Sequence, residues 1–374
     1  MSESRTTEGA RLEVPSPGTP QPGMPQPGMP EPGVSEETMA VAAQFEAEDV
    51  RAATERERRL ARRRQIIERL QGEGLVLVFG IVFVIMWASS PYFLTEANLL
   101  TAASVVSVLG VMAVTETLVV IGGEIDISVG SVMAATSVLI GVMVTAGFNV
   151  WLAAILAFLF SGGVGAVNGI ITVYFRINSL VTTLGTYSIF LGLAYFLSNT
   201  TTVSIGGQGF GVLGSGSVGQ IPVPVFFFLG VWLVGATIAR HTAIGRHIYA
   251  TGDNYDAALR SGVQADLLRV GLFIAMGLSA GLAGIMVTSE LGSAAPQIGD
   301  PYLLSVVTAV ILGGASLRGG RGTMLGTLVA VAILGVLQNG FALLQFSTYL
   351  EDTVLGCLLI FAVLTDRLVR RAER

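Results

Sequence analysis

The 374-residue sequence contains no lysine, so all 21 of its basic residues are arginines. A P-loop needs a lysine to reach nucleotide phosphates, and Schiff-base catalysis needs a lysine amine. Thiols and imidazoles are also scarce, because the chain has one cysteine, Cys357, and two histidines, His241 and His247. These numbers exclude a disulfide framework and argue against a zinc site. We therefore expect no catalytic residue, no metal site and no cofactor bound by this chain.

Charge is scarce as well, at 13% of residues, whereas 52% are hydrophobic and the mean hydropathy is +0.70. This composition is far from that of a soluble globular domain. The arginines also avoid the middle of the chain, since ten lie before residue 73 and four lie after residue 366. The composition therefore predicts an integral membrane protein.

Two segments precede the apolar part of the chain. Residues 1–45 are rich in proline and glycine and repeat the motif PQPGM, without the basic start and apolar stretch of a cleaved signal peptide. We expect a disordered, retained tail here. Residues 46–72 are strongly charged, with one apolar stripe of Ile66, Ile67 and Leu70. They predict a juxtamembrane helix that anchors the N-terminus inside, lies on anionic lipid or contacts a partner subunit.

The rest of the chain is a series of apolar runs in a transmembrane domain that we place at residues 73–368. Each run is close to the ~20 residues that cross ~30 Å of hydrocarbon as a helix. We predict an all-α bundle of about ten spans. The spans lie near 75–94, 102–121, 128–146, 150–174, 179–198, 223–239, 266–288, 303–316, 323–343 and 350–366.

The arginines give a test of this threading, because they collect in cytoplasmic loops. From a cytoplasmic N-terminus, the predicted outside loops receive no arginine. The inside loops hold Arg176, Arg240, Arg246, Arg260, Arg269, Arg318 and Arg321, and the C-terminal end holds Arg367, Arg370, Arg371 and Arg374. We therefore predict a multi-pass protein of the inner (cytoplasmic) membrane, with both termini, including a tail at 369–374, in the cytoplasm.

The longest well-charged inside loop contains a short helix signal. Gly252, Asp253 and Asn254 indicate a turn and a helix N-cap, and residues 256–260 predict a helix that Gly262 stops. A short, glycine-ended helix is stiff enough to pass force into the spans from outside the membrane. The loop therefore predicts a contact point for a partner in the cytoplasm.

Three stretches of sequence resemble a known family. The run DAALRSG at 256–262 resembles the Glu-Ala-Ala-x-x-x-Gly coupling loop of permease subunits of ABC importers, with aspartate in place of glutamate. The stretches GGEIDISVGS at 122–131 and ILGGASLRGGRG at 311–322, with GVLQNG at 335–340, are similar to the patterns of ribose-type sugar permeases. The resemblance covers roughly residues 75–368 and leaves out the N-terminal tail.

The resemblance implies a function as well as a fold. Such a permease acts as a homodimer in the lipid membrane. Its partners are ATPase subunits, which carry ATP and Mg²⁺, and an extracytoplasmic sugar-binding protein. The resemblance implies no nucleic-acid partner. It implies that the chain moves a monosaccharide, such as the pentoses ribose or xylose. The implied coupling residues are Gly252, Asp253, Asn254, Asp256, Ala257, Ala258 and Gly262. The absence of lysine fits a chain that depends on a separate ATPase.

Glu116 and Asp126 are the acidic candidates in the membrane part. An ionisable group at the centre of a bilayer costs from ~2.5 kcal/mol upward, so Glu116 in span 2 is a pathway residue or a carboxylate bonded to a neighbouring helix. Asp126 follows a glycine-rich break and either caps the helix that begins near Ser128 or acts as a gate. We assign Gly123 and Gly130 to the same gate or loop.

The uncharged candidates for the translocation pathway carry amide or hydroxyl side chains. Asn168 in span 4 and Asn339 in span 9 each precede a glycine at similar depths, which suggests an inverted repeat relating spans 2–5 to spans 7–10. Asn168 would then face Gln338 and Asn339 near the midplane and bond passing sugar hydroxyls, or these amides would form helix-packing bonds worth ~0.6 kcal/mol each. Span 5 is rich in hydroxyls, and among them Thr183 suits a neutral polyol.

Two other functions compete with this one. A secondary transporter driven by an ion gradient needs carboxylates or ion ligands deep in broken helices, where only Glu116 qualifies. A membrane scaffold or sensor would not need the short helix at 256–260. The long outside loop at 199–222 is either a docking surface for the binding protein or a connector.

Overall fold

The computed structural model describes residues 74–205 and 209–373. The predicted tail at 1–45 and the predicted juxtamembrane helix at 46–72 lie outside the described residues. The described residues form thirteen helices and four two-residue strands. The helices are α1 Gly74–Ser89, α2 Glu96–Ile121, α3 Val129–Thr145, α4 Val150–Tyr174, α5 Ser179–Ser198, α6 Val212–Ser215, α7 Val223–His241, α8 Ala243–Asp253, α9 Tyr255–Arg260, α10 Ala265–Leu291, α11 Asp300–Leu312, α12 Met324–Leu343 and α13 Thr348–Glu373. The strands are β1 Val203–Ser204, β2 Ser217–Val218, β3 Ile221–Pro222 and β4 Ser293–Ala294.

Six helices are long and apolar enough to cross a membrane, namely α2, α4, α5, α7, α10 and α12, and α1, α3 and α11 are shorter apolar helices. The described chain is therefore a mostly helical, multi-pass membrane protein. The predicted count of about ten spans and the inverted repeat stay predictions.

Two predicted span boundaries are wrong for identifiable reasons. The span placed at 75–94 ends early, because the residue before Pro91 is disfavoured in a helix. The span placed at 303–316 ends at Leu312, where Gly314 takes a φ of 87° and reverses the chain. At the C-terminal end, α13 continues into the predicted cytoplasmic tail at 369–374, which stays a prediction.

The core forms around α2 and α10. Every residue of α2 from Ser107 to Ile121 is buried, as expected of a helix that is apolar all round. The α4–α10 contact is close because small residues face each other, and a Cβ built on Gly277 would lie 2.2 Å from the carbonyl oxygen of Ser161. By contrast, α5 and α7 expose apolar side chains such as Phe196 and Leu233 that suit contact with lipid.

The two longest predicted outside loops meet at one end of the bundle. Strand β1 pairs with β4 in antiparallel fashion, with Val203 opposite Ala294. The N–H of Gly214 donates to Ser289 Oγ at 2.9 Å. The described residues of the predicted outside loop at 199–222 also carry α6 and a second small sheet of β2 and β3.

Candidate functional site

The junction between α2 and α3, here called the α2–α3 break (residues 122–128), turns the chain back into the bundle. The chain reverses at Gly123, whose φ is 88°. The N–H of Gly123 donates to Val120 O at 3.0 Å, and that of Glu124 to Val119 O at 3.1 Å. This glycine-dependent helix ending frees the next residues from the helix and leaves their N–H groups without a helical partner.

Hydroxyls of α5 bind two of these N–H groups. The N–H of Ile125 donates to Ser179 Oγ at 3.3 Å, and the N–H of Ile127 donates to Thr183 Oγ1 at 3.1 Å. Thr183 is fully buried and its own hydroxyl donates to the carbonyl of Ser179 at 2.8 Å. The predicted hydroxyl-rich helix therefore holds the break in place.

Two carboxylates bind the other two N–H groups. The N–H of Asp126 donates to Glu116 Oε1 at 3.0 Å. Asp126 Oδ1 accepts from the N–H of Ser128 at 2.8 Å and from its hydroxyl at 2.5 Å. Asn168 Nδ2 in turn donates to Ser128 Oγ at 2.8 Å. Four consecutive backbone donors of the break are thus each satisfied by a side chain.

Glu116, Asp126, Ser128, Asn168 and Thr183 form what we call the buried polar cluster. All five were predicted as pathway, gate or loop residues, and each is 1% exposed or less. Asp126 binds the N–H of Ser128, which is the N-cap residue of α3, and no side-chain hydrogen bond from the described chain caps the first turn of α3 itself. Within the described residues, Glu116 Oε2 and Asn168 Oδ1 have no hydrogen-bond partner. The cluster therefore has two buried acceptors that hydroxyl donors can satisfy.

The amides of α12 lie in other contacts. Asn339 exchanges two amide hydrogen bonds with Asn98 of α2, at 2.9 and 2.8 Å, and Gln338 Nε2 donates to Ser305 Oγ at 3.3 Å. The expectation that Asn168 faces Gln338 and Asn339 is therefore wrong for the described chain. Each amide has a different partner close by. Asn168 donates to Ser128 of the break, and Asn339 pairs with Asn98 of α2. For these two amides the helix-packing interpretation fits the contacts.

The predicted short helix is present as α9. Asn254 Oδ1 accepts from the N–H of Ala257 at 3.0 Å and so caps the first turn. Gly262 ends the segment with a φ of 82°, and the N–H of Val263 donates to Ala258 O at 3.1 Å. Ala258 is buried, whereas Asp256 and Ala257 are exposed and available to a partner.

The predicted turn at Gly252 and Asp253 is wrong, because α8 continues through both residues. The Thr242 side chain caps the first turn of α8. Tyr249 donates its hydroxyl to the carbonyl of Gly322 at 2.8 Å, and burial raises the pKa of this tyrosine, so it stays a donor. The chain thus changes direction only after α8, at the residue that caps α9.

Gly252, one of the implied coupling residues, meets Gly123, Gly319 and Gly320 of the other two recognised motifs at what we call the glycine junction. The N–H of Gly320 donates to Ile121 O at 2.8 Å. A Cβ built on Gly252 would lie 1.8 Å from the same oxygen. One built on Gly319 would lie 2.7 Å from Gly123 Cα and from Gly252 O. Only residues without a side chain allow these three backbones to approach so closely.

Gly130 lies away from this junction. A Cβ built on Gly130 would lie 2.8 Å from Gly299 O, just before the start of α11. The first turns of α3 and of the short helix α11 therefore meet inside the bundle. This position supports a packing role for Gly130 rather than a contact with the coupling segment.

An arginine of α10 connects the break with α9, through an ion pair on one side and a cation–π contact on the other. Arg269 on α10 lies 2.9 Å from Glu124 Oε1, with side-chain exposures of 18% and 10% respectively. Its guanidinium also lies 4.4 Å from the centre of the Tyr255 ring, a cation–π distance. Tyr255 donates its hydroxyl to Asp266, and this bond raises the pKa of the tyrosine. Our sequence-based site prediction missed these residues, although Glu124 lies inside a recognised motif.

The apolar helices, the buried polar cluster and the exposed short helix define a multi-pass membrane transport subunit. The chain belongs to the family described as the permease component of the branched-chain amino acid transport system, which matches residues 98–363. This match and the relatives below confirm the predicted resemblance to the permeases of ABC sugar importers.

Several relatives are similar over most of their length. The chain is 35% identical to an L-arabinose ABC transporter permease protein of Azospirillum brasilense, over 83% of this chain and 91% of that one. It is 36% identical to a ribose import permease protein of Bacillus subtilis (strain 168), over 80% and 93%. It is 33% identical to a D-allose transport system permease protein of Escherichia coli (strain K12), over 80% and 92%. No solved structure matches the chain.

Two adjacent threonines of α5 give a matched test of the cluster. Thr183→Val keeps the side-chain shape but removes the acceptor for the Ile127 N–H, so we expect a loss of about 1 kcal/mol of stability. Thr182→Val is the control, because the Thr182 hydroxyl is buried without a partner in the described chain, and we expect no loss or a small gain. Thermal unfolding of the purified variants measures both effects. Equal unfolding midpoints for the two variants would contradict the assigned hydrogen bond between the Ile127 N–H and Thr183.

Proposed function

We propose that this chain is the membrane-spanning permease subunit of an ATP-binding-cassette importer that moves a monosaccharide. The observation that carries the proposal is α9, an exposed capped helix whose neighbour α8 ends in the glycine junction with two other motif loops. A partner that moves α9 would move the ends of several spans together. In this proposal a separate ATPase subunit carries ATP and Mg²⁺, because the sequence has no lysine for a P-loop.

The proposed substrate is a neutral sugar, with a pentose such as ribose or xylose as the first candidate. Relatives carry the names of L-arabinose, ribose and D-allose, which are all neutral polyols. The buried polar cluster offers hydrogen-bond acceptors rather than arginines, and acceptors suit sugar hydroxyls. Glu116 and Asn168 are the proposed pathway residues, because each keeps one buried oxygen without a partner among the described residues.

The proposed assembly pairs two copies of the chain in the inner membrane with two ATPase subunits. An extracytoplasmic binding protein delivers the sugar at the end where β1 pairs with β4. Both termini and α9 lie in the cytoplasm in this proposal, as the arginine distribution predicts. About ten spans per copy and the inverted repeat belong to the same proposal.

Reconstitution tests the proposal. The chain should co-purify with a soluble ATPase, and proteoliposomes holding both should take up radiolabelled D-ribose, D-xylose, L-arabinose or D-allose when ATP and a cognate binding protein are supplied. Uptake should survive an ionophore that collapses ion gradients. Uptake that needs an ion gradient and ignores ATP would instead favour a secondary transporter.

The cap of α9 gives a specific prediction for partner binding. Asn254→Ala removes the acceptor for the Ala257 N–H and should cost the helix about 1 kcal/mol, which lowers retention of the ATPase subunit several-fold. Asn149→Ala is the control, since Asn149 caps α4 in the same way through the N–H of Trp151. Quantitative co-purification measures retention. If the two variants lost the ATPase subunit to the same extent, α9 would not be its specific binding site.

A further inference from the structure

The contacts between α9 and the α2–α3 break form an unbroken series. The Tyr255 ring of α9 lies on the Arg269 guanidinium, and Arg269 pairs with Glu124 of the break. Arg269 also lies beside Gly123, because a Cβ built there would be 3.4 Å from its second terminal nitrogen. Two residues after Glu124, Asp126 enters the buried polar cluster through its N–H. Arg269 thus contacts Tyr255 on one side and Glu124 on the other, although its Nε has no hydrogen-bond partner among the described residues.

We infer that the Glu124–Arg269 pair, seated against Tyr255, is the link that carries movement of α9 to the buried polar cluster. This inference rests on the proposed function and assigns Glu124, Arg269 and Tyr255 as positioning residues for it. The glycine junction fixes the distance between the loops, whereas the ion pair supplies a directional contact that pulls as well as pushes. Although Gly320 is hydrogen-bonded to Ile121 in the junction, Gly252 at the end of α8 meets Ile121 by close packing, and close packing resists compression but not separation.

The local chemistry favours this role over simple surface charge. Glu124 and Arg269 are mostly buried, so water and salt screen their attraction weakly. Asp266 lies one turn before Arg269 on α10 and accepts the Tyr255 hydroxyl, which fixes the ring on the guanidinium. Arg269 therefore has a carboxylate on the break and an aromatic face on α9. Loss of either contact would leave the glycine junction as the remaining connection between α9 and the break.

Hydrogen exchange on the purified full chain tests the link without any partner. Tyr255→Ala should increase amide exchange in the peptide that holds residues 125–128, which follows Arg269 and Glu124 in the series of contacts. In a Glu124→Gln background the same Tyr255→Ala change should have little additional effect, because the link is already broken. Unchanged exchange at 125–128 after Tyr255→Ala would overturn the inference, whether or not the chain transports a sugar.

Reconstituted uptake tests the same link in function, with the sugar that the wild-type chain transports. Glu124→Gln and Arg269→Gln should keep the ATPase subunit bound but lower sugar uptake per ATP hydrolysed at least about fivefold. The charge swap of Glu124→Arg with Arg269→Glu should recover much of the loss, which a purely structural defect in either variant would not allow. Arg240→Gln is the matched control, since Arg240 is an exposed arginine at the end of α7.

The outcomes separate the two proposals. Wild-type coupling in both single variants, or a swap no better than either of them, would overturn the link while leaving the importer function intact. Coupled hydrogen exchange in a chain that binds no ATPase and takes up no sugar would support the link and contradict the importer function.

Discussion

Gly252→Val is expected to abolish uptake and to lower the thermal stability of the purified chain. A Cβ at this position would lie 1.8 Å from Ile121 O and 2.6 Å from the Gly320 nitrogen, and both atoms belong to the backbone. A Cβ has no rotamer by which to avoid them, so the end of α8 must move away from α2. Overpacking of this kind costs about 1–3 kcal/mol or more. Uptake in proteoliposomes and thermal unfolding in detergent measure the two effects.

The matched control for this prediction is Gly271→Ala. Gly271 is also a helical glycine, in α10, but a Cβ built there would meet nothing within 4 Å. Alanine favours a helix over glycine by roughly 0.5–1 kcal/mol, so this variant should be as stable as the wild type or slightly more stable. Gly252→Ala should already show a clear loss. If Gly252→Ala behaved like Gly271→Ala, the close approach of the three loops would be disproved.

Asp126→Ala is expected to have the second largest effect. It removes the oxygen that accepts both the N–H and the hydroxyl of Ser128, so a buried backbone donor loses its partner at a cost of about 1–3 kcal/mol. Ser128 in turn holds Asn168, so the cluster should lose its order and uptake should fall with stability. Thermal unfolding and uptake again give the measurements.

Two further variants separate the hydrogen bond from the charge. Asp126→Asn keeps an acceptor oxygen, so it should unfold at a higher temperature than Asp126→Ala. Asp352→Ala removes an exposed carboxylate of α13 and should change stability by less than about 0.5 kcal/mol. An Asp126→Ala protein with the stability of the Asp352→Ala protein would contradict the bonding pattern of the break.

Local signals in the sequence predicted local structure well. The cap at Asn254 and the stop at Gly262 predict α9, and the structure confirms both ends of it. Residues that bond within a few positions of each other, such as Asp126 and Ser128, could be predicted in the same way. The start of α11 next to Gly130 could not, because it depends on where a distant loop packs.

Contacts between residues that are distant in the sequence could not be predicted for the site. The clustering of Glu116, Asn168 and Thr183 requires three helices to bring their side chains to one break, and no spacing within a helix encodes that meeting. The pairing of Glu124 with Arg269 was missed for the same reason, since both looked like ordinary charges near the ends of spans. The glycine-rich motifs could be recognised from their sequences alone. Only the structure shows that their glycines contact one another.

The position of Cys357 makes the unmodified chain convenient for spectroscopy. It is the one cysteine of the sequence, and its side chain is exposed on α13. A membrane-permeant thiol-reactive nitroxide would therefore attach at one known site within the span predicted at 350–366, and no other cysteine would have to be removed. In the proposed pair of copies, two such labels would give a single interspin distance. Its change on adding nucleotide would report the relative movement of the two α13 helices directly.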